Sequence, residues 1–539
     1  MNKQHKILPL FAAVMALTIL VQGCHTPPVQ TVDSPKPVET ADVEDEPVVQ
    51  PPTVSPAADG RFTLRYDSKS TLNPITGVNR DNILLSSLMY ESLFIVDNHL
   101  VTQPVLCKSW ETADNLTFKF EIYPDILMND GELLTANDVS YSIKQAALKG
   151  RYVARLSKVA SVSSDGELTV TVVLKSKNHR LPSLLDIPII KNGSADSRVP
   201  PGTGPFQLIE NDGTPYLVRN PRYRDYQSIP LSLIYLMECN DDELTQLFDD
   251  GQLSLLWDDP SDSFEIRLNR LNEKRYYDTT TLQFIGFNAK SGVMSDPYVR
   301  RAVGCSIDRN YLVNEILSGQ AIAAPLPLSP AFPYYNLDWE KRAYDPLTEM
   351  TVLLDSADME DFNNDSFLEI SNGNGTYRKF TVDFIVNSEN IHKIRAANYI
   401  ADTLMSFGVN TVVRELPWEA FMTALKSGDF DMYYGEIALG ADFDFSPLML
   451  PGALNYGGTA NTLFAPYIED FLAAESDEDI QYAVEALFYE ILTKSPFVPV
   501  LYKKNVVYSP LGAIARADPG QSNVFCNLKD WTINMAMLT

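Results

Sequence analysis

Between residues 116 and 150, apolar residues first recur at every second position and then at the spacing of a helix. Residues 116–120 alternate apolar and polar side chains, which predicts a half-buried strand. Thr135 and Asp138 then form a T-x-x-D capping box at the start of an amphipathic segment, and Gly150 marks its end. The pattern therefore predicts a strand followed by a helix.

A second strand–helix–strand pattern lies in the C-terminal third. The predicted strand Thr381–Val386 precedes a helix whose apolar face runs from Ile394 to Phe407, and Gly408 separates it from the strand Val409–Glu415. Strands joined through a helix are parallel, with a right-handed crossover. Because strands and helices alternate in this way along the chain, we expect an α/β fold.

Two further elements have local signals. Asn372–Gly375 is an N-G-N-G turn between apolar segments, which predicts a hairpin. Asp296 and Pro297 supply an N-cap and a first-turn proline to a helix predicted to run through Leu317, with Gly319 beyond its end.

The first residues are typical of an export signal. Lys3 and Lys6 precede the apolar run Ile7–Val21, which is shorter than the roughly 20 residues that a membrane span needs. The run ends before Gly23-Cys24, which resembles the lipobox of bacterial lipoproteins. That resemblance implies cleavage before Cys24 and a lipid on its sulfur. Residues 25–59 hold eight prolines and seven carboxylates, so we expect an extended, disordered tether.

Composition narrows the class of partner. The formal net charge is −27, so nucleic-acid phosphates would be repelled. Beyond Cys24 the chain has four widely spaced cysteines without C-x-x-C spacing, and in an exported protein both paired and free thiols remain open. They are Cys107, Cys239, Cys305 and Cys526.

An ordered set of short motifs covers nearly the whole body of the chain. The set resembles extracellular solute-binding protein family 5, the peptide-binding receptors of ABC importers. The motifs that carry the resemblance are Leu72–Pro74, Tyr90–Leu93, Pro104–Glu111, Asn129–Val139, Pro201–Phe206, Leu217–Tyr223, Phe287-Asn288, Asp296–Arg309, Tyr344–Pro346 and Pro496–Val500. Cys107 and Asn129 depart from the usual residues, and Arg224 stands where tryptophan is usual.

The resemblance implies an α/β, two-lobed periplasmic-binding-protein-like clamp (class II, cluster C type) with an extra domain. The first lobe would use 60–93, 204–287 and 502–539, the extra domain 94–203, and the second lobe 288–501. It implies a monomer on the outer face of the bacterial membrane, which delivers its solute to a permease with ATPase subunits.

The resemblance also implies a ligand site. Asp442, in Ala441-Asp442-Phe443, matches the family position whose carboxylate neutralises a peptide α-ammonium, a charge that is costly to bury unpaired. Backbone groups would hold the peptide as an added strand. The other implied ligand residues are Gly77 and Val78 in one lobe, and Ala438, Leu439, Gly440, Tyr456, Gly457 and Arg395 in the other.

Metal and catalytic sites have little support in the sequence, and we expect no cofactor. Asp361, Asn363 and Asp365 imitate the start of a calcium loop, but Ser366 replaces the needed glycine and Asn372 the bidentate glutamate. The histidines are scattered, and no hydrolase or phosphate-binding motif occurs. We therefore expect a non-enzymatic peptide receptor. The alternatives are a receptor for a nickel chelate, an oligosaccharide or a pheromone, a surface sensor or adhesin, and a hydrolase.

Overall fold

The structure is a computed structural model that describes residues 61–164, 167–210, 214–262, 266–290, 292–343, 348–458 and 462–538. The export signal, Cys24, the tether and the motif at 344–346 lie outside the described residues, so those predictions stay predictions.

Strands are numbered in chain order. They are β1 (Thr63–Arg65), β2 (Phe94–Val96), β3 (Thr102–Pro104), β4 (Cys107–Thr112), β5 (Thr117–Ile122), β6 (Val159–Ser164), β7 (Thr169–Leu174), β8 (Phe206–Ile209), β9 (Tyr216–Arg219), β10 (Leu233–Met237), β11 (Leu256–Asp258), β12 (Asn272–Phe287), β13 (Ala321–Ala323), β14 (Met359–Glu360), β15 (Glu369–Ser371), β16 (Tyr377–Lys379), β17 (Val382–Asn387), β18 (Thr411–Leu416), β19 (Met432–Ala438), β20 (Phe497–Pro510), β21 (Ile514–Ala515) and β22 (Thr532–Ile533).

The α-helices are numbered in the same way. They are α1 (Arg80–Met89), α2 (Ala136–Leu148), α3 (Leu244–Asp249), α4 (Pro297–Cys305), α5 (Arg309–Tyr311), α6 (Thr348–Ser356), α7 (Ile391–Ser406), α8 (Trp418–Ser427), α9 (Ser446–Met449), α10 (Ala465–Ala473) and α11 (Asp477–Lys494).

Most of the predicted local elements are confirmed. The backbone N–H of Thr135 donates to the carboxylate of Asp138 at 2.8 Å, as the capping box before α2 requires. Parallel pairing joins β17 and β18 on either side of α7, and Gly408 has the positive φ of +83° that ends the helix. The hairpin at 372–375 joins the antiparallel strands β15 and β16.

The helix predicted from Pro297 through Leu317 is wrong in its length. It ends at Cys305, and a new short helix starts after Asp308, whose carboxylate accepts the backbone N–H of Tyr311 at 2.9 Å. A π-helical turn, Leu312–Ile316, completes the segment. Two interactions that the apolar pattern does not reveal end the first helix. One is the Asp308 cap, and the other is the buried guanidinium of Arg309, which donates to the carbonyl of Pro499 at 2.9 Å.

The three largest sheets organise the described chain. One has the order β1-β10-β9-β8, a second has the order β4-β5-β7-β6, and the largest has the order β11-β20-β12-β19-β17-β18, with β13 beside β20. In the largest sheet, β12 and β20 form a long antiparallel pair. Their register shifts between Asp278 and Leu282, where β12 carries a bulge.

The buried apolar residues form separate cores on either side of this bulge. One core holds side chains from 62–94, 106–195, 206–236 and 507–538, and it also holds Tyr277. Two other cores lie between Leu282 and Tyr502 and also include Val96 and Leu100. A small fourth core holds Phe248, Leu253, Leu256, Val506 and Tyr508. The long strand pair therefore connects two separately packed regions, and its bulge lies between them.

The four cysteines of the described chain are free thiols. Three of them are buried, and Cys239 is half-buried. Burial raises the pKa of Cys107 to about 12 and that of Cys526 to about 11. The possibility of disulfide pairing, which the sequence left open, is not realised among these four residues.

Candidate functional site

One edge of β19 has room for another strand. Antiparallel pairing with β12 runs from Met432 to Ala438, whereas β17 pairs with the other edge only at Met432 and Tyr433. Among the strands that the structure describes, none covers that edge farther along. A polypeptide in extended form could therefore pair there through its backbone.

Ala438 is the residue whose backbone suits this edge best. The backbone N–H of the next residue, Leu439, donates to the carbonyl of Thr280 at 3.1 Å, and the Thr280 hydroxyl donates to the carbonyl of Leu439 at 2.7 Å. Alternate residues of an antiparallel strand point their backbone groups in opposite directions. Ala438 therefore directs its N–H and C=O away from β12. The backbone N–H and C=O of Leu439 are already bound to Thr280, and its side chain is buried in the core.

Asp442 lies just beyond this strand, in a buried position. Asp442 is 3 % exposed, and its carboxylate accepts a hydrogen bond from the side-chain amide of Asn178 at 2.8 Å. Gly440 has to be small, because a Cβ there would lie 2.4 Å from a carboxylate oxygen of Asp442. The loop therefore folds its glycine directly against the carboxylate.

Burial is the largest influence on the charge of Asp442. It raises the pKa of this carboxyl above its ordinary value; Asp444 raises it further, and Arg180 opposes both. Asp444 itself forms a 2.5 Å ion pair with Lys158. A cationic group placed beside Asp442 would stabilise the ionised carboxylate, which is the response expected at an ammonium site.

Arg180 closes the other side of the loop. Its Nε donates to the backbone carbonyl of Asp442 at 3.3 Å, and its Nη2 donates to the carbonyl of Phe471 at 2.9 Å. The guanidinium lies 4.1 Å from the centre of the Phe471 ring, and burial lowers its pKa to about 10. Asn178, Arg180 and Lys158 all precede Asp442 by more than 250 residues, so the loop is held by a distant segment.

Gly77 and Val78, the site residues expected in the first lobe, occupy a turn before α1. The backbone N–H of Gly77 donates to the carbonyl of Asn73 at 2.8 Å, and a Cβ on Gly77 would lie 2.8 Å from the same oxygen. Val78 is 85 % exposed and lines a cavity of about 1120 Å³. None of the second-lobe site residues lines this cavity, so the structure does not bring the two groups together in it.

The remaining expected site residues have different surroundings. A Cβ on Gly457 would lie 1.5 Å from the carbonyl oxygen of Phe287, so only glycine fits there. Tyr456 is half-buried, with its ring centre 6.3 Å from that of Tyr433. Arg395 is exposed on α7.

A cluster of opposite charges lies on the same strand as the open edge. The carboxylate of Glu436 pairs with Lys393 at 3.0 Å and with Lys503 at 3.2 Å, and Lys503 also pairs with Asp259. Burial alone would raise the pKa of Glu436, but the two lysines outweigh it and lower the pKa to about 2. The cluster connects β19 to α7, to β20 and to the segment after β11.

The described residues contain no group of three histidine, cysteine or acidic side chains that could hold a metal ion. In the calcium-like segment, Asp361 instead accepts the backbone N–H groups of Asp365 and Ser366, and Asp365 pairs with Lys379. No helix in the described part of the chain has both the length and the apolar character that a bilayer span requires.

Comparison with known proteins decides the family. Residues 101–460 match the profile of the bacterial extracellular solute-binding proteins, family 5. The chain belongs to this family. Family 5 consists of binding proteins rather than enzymes, which agrees with the expectation from the sequence.

Two solved structures of family 5 type share the fold. The periplasmic murein tripeptide-binding protein MppA, in its unliganded open form, has a TM-score of 0.71 at 14 % identity, over 88 % of this chain and 98 % of its own. NikA of Brucella suis, in complex with Fe(III)-EDTA, has a TM-score of 0.70 at 18 % identity, over 88 % and 100 %. The predicted two-lobed α/β clamp is therefore confirmed.

Among curated relatives, the oligopeptide-binding protein AppA of Bacillus subtilis (strain 168) is 22 % identical over 456 residues. The match covers 79 % of this chain and 83 % of AppA.

Sequence reasoning on this family 5 chain missed the polar residues that surround Asp442 and Glu436. Asn178, Arg180, Lys158 and Lys503 occur in no motif, and each meets its partner only after folding. No local signal could have found them, since a lone lysine or arginine in an α/β chain is most often solvated.

Proposed function

We propose that the chain is a lipid-anchored receptor that captures short peptides between two lobes and delivers them to the permease and ATPase subunits of an ABC importer. It would act as a monomer on the outer face of the cell membrane. The observation that carries the proposal is the open backbone edge at Ala438, four residues before the buried carboxylate of Asp442.

These two features supply what a peptide receptor without strong sequence preference needs. Hydrogen bonds to the backbone provide affinity that does not depend on side chains. A buried carboxylate provides a fixed place for the α-ammonium, because a buried ammonium is stable only when it is paired. The similarity to the oligopeptide-binding protein AppA supports the same ligand class.

The proposed domain boundaries are those expected from the sequence. The first lobe takes 60–93, 204–287 and 502–539, the extra domain takes 94–203, and the second lobe takes 288–501. The cores support the separation of the second lobe, since most of the first lobe and of the extra domain share one core and the second lobe has two others. Residues 282–287, Val96 and Leu100 pack with the second-lobe cores. The bulge between Asp278 and Leu282 would then act as a hinge, and ligand contacts made only in the closed state would favour closure.

The lipid anchor is proposed from the sequence alone. Cys24→Ser should abolish labelling by a radioactive fatty acid and release the protein from membranes. Retention of the unlabelled variant on membranes would contradict the anchor, while the binding function would be unaffected.

The ligand class is tested by analysing what the protein carries. Denaturing mass spectrometry of the purified full chain should release short peptides, and calorimetry with the same synthetic peptides should give saturable binding. Release of a metal chelate or an oligosaccharide, together with no peptide binding, would replace the proposed ligand class with that of another solute.

A further inference from the structure

The cavity of about 1120 Å³ beside Val78 is lined by apolar and polar side chains in about equal measure, and several of the polar ones are charged. Its walls come mainly from α1 and from the segments 95–105, 151–155, 186–188, 223–229 and 518–529, together with Trp257 and Tyr277. Because Val78 is one of the residues proposed to contact the ligand, the cavity adjoins the proposed site in the first lobe.

All five acidic residues that line this cavity have partners in the protein. The carboxylates of Asp97 and Asp518 accept hydrogen bonds from the side-chain amides of Gln103 and Asn98. The other three acids form ion pairs, Glu91 with Arg224, Asp186 with Arg155, and Asp225 with Lys529. These interactions leave no lining carboxylate without a partner that could attract a cation.

Arg80 is the exception among the charged residues of the wall. The guanidinium of Arg80 has no hydrogen-bond acceptor and no ion-pair partner among the residues that the structure describes. The guanidinium lies 3.5 Å from the centre of the Trp257 ring, and the Trp257 indole N–H donates to the hydroxyl of Tyr277. This cation–π contact therefore holds the guanidinium in position, while its N–H groups have no acceptor in the described part of the chain.

Asp81 and Asp258 both act electrostatically on Arg80, but neither forms an ion pair with it. Asp81 forms its ion pair with Arg65, at 3.3 Å. Asp258 is buried, and its burial raises its pKa to about 6 although Arg80 acts in the opposite direction. A cationic donor that is held in position in a chain of net charge −27, and that has no ion-pair partner among the described residues, is placed to meet an anion from outside.

We propose that the cavity binds a carboxylate of the ligand, with the guanidinium of Arg80, held on Trp257, as its receptor. A carboxylate matches the planar guanidinium because two parallel N–H···O bonds can form between them. The inference rests on the proposed function, since it assigns a preference among peptides. The carboxylate belongs either to the peptide C-terminus or to an acidic side chain.

The test compares peptides that differ only in this charge. The purified full chain is mixed with a library of two- to six-residue synthetic peptides, in which each sequence occurs with a free or an amidated C-terminus and with glutamate or glutamine. Peptides retained after gel filtration are counted by mass spectrometry. The two kinds of matched pair distinguish a terminal from a side-chain carboxylate.

Wild-type protein should retain the carboxylate member of one kind of pair about tenfold or more over its neutral counterpart, as expected for a hydrogen-bonded charge. Arg80→Gln should reduce that ratio to about twofold or less and still retain neutral peptides. Arg80→Lys, which keeps the charge without the planar fork, should give an intermediate ratio. Arg378→Gln, which removes an exposed arginine of β16, should behave as wild type.

Each remaining outcome decides between the two proposals. If peptides are retained without preference, or if the preference survives Arg80→Gln, the carboxylate site is overturned and the peptide receptor stands. If Arg80→Gln melts as wild type but loses neutral and acidic peptides alike, Arg80 has no carboxylate-specific role. If wild type retains no peptide, the proposed function fails and this inference fails with it.

Discussion

The side-chain amide of Asn178 donates a 2.8 Å hydrogen bond to the carboxylate of Asp442, across 264 positions of the chain. Both residues are buried, at 2 % and 3 % exposure. The Asp442 carboxylate, which is proposed to bind the ligand, is therefore oriented by a segment far away in the sequence as well as by its own loop. A site of this kind is organised before the ligand arrives, which reduces the entropy that binding costs.

Asp442→Asn should weaken the binding of peptides with a free α-ammonium by more than about tenfold, because the amide cannot pair with the charge. Calorimetry measures the loss. N-acetylated peptides, which carry no ammonium, should bind both proteins equally. Asp444→Asn is the matched control, since Asp444 pairs with Lys158. An equal loss for both kinds of peptide would contradict the assigned role.

Asn178→Ala should lower the free energy of unfolding by about 1–3 kcal/mol, because the buried carboxylate of Asp442 loses a hydrogen-bond donor. Thermal and chemical denaturation measure the change. Asn398→Ala, on α7, removes an exposed amide that contacts only a backbone carbonyl of its own helix, and it should have little effect. Equal stability of both variants would show that the Asn178 hydrogen bond does not support the loop.

Ala438→Pro should weaken peptide binding by more than about tenfold, because proline removes an N–H that points to the open edge of β19. The fold should tolerate it, since this N–H has no role in the β12 ladder and proline is accepted on open strand edges. Ile437→Pro, one residue earlier, should instead destabilise the protein by about 3 kcal/mol. Calorimetry and thermal melting together separate the two effects, and normal binding by the Ala438 variant would rule out strand addition there.

Glu436→Gln should destabilise the protein at neutral pH by about 1–3 kcal/mol, because two lysines lose their shared carboxylate. The pKa of Glu436 is lowered to about 2 in the folded state, so its contribution is fully present above the ordinary value of 4.5 and is lost as pH falls towards 2. The melting temperatures of wild type and variant should therefore converge between pH 4.5 and pH 2. The exposed Glu469→Gln should show no such convergence.

The sequence predicted the elements that depend on neighbouring residues. The capping box of α2, the parallel pair around α7 and the β15–β16 hairpin all arise within fewer than 40 residues, and each was predicted in its correct type. The helix through Leu317 was predicted too long because its break depends on Arg309, whose acceptor is the carbonyl of Pro499, 190 residues away.

Only part of the candidate site could be predicted from the sequence. A motif pointed to Asp442 and to the backbone near Ala438, whereas the open edge itself depends on where β17 stops pairing with β19. The stacking of Arg80 on Trp257 depends on the meeting of two segments more than 170 residues apart. Contacts of this range are decided by packing, and a linear pattern does not encode them.

The free thiols have a practical consequence for measuring lobe motion. Because burial keeps Cys107 and Cys526 protonated at neutral pH, they should react slowly with maleimides. A cysteine introduced at the exposed Val78 would be labelled in preference to them, and a second at Arg395 would provide the other dye of a fluorescence-transfer pair. The distance between the dyes could then be followed in single molecules without removing any native cysteine.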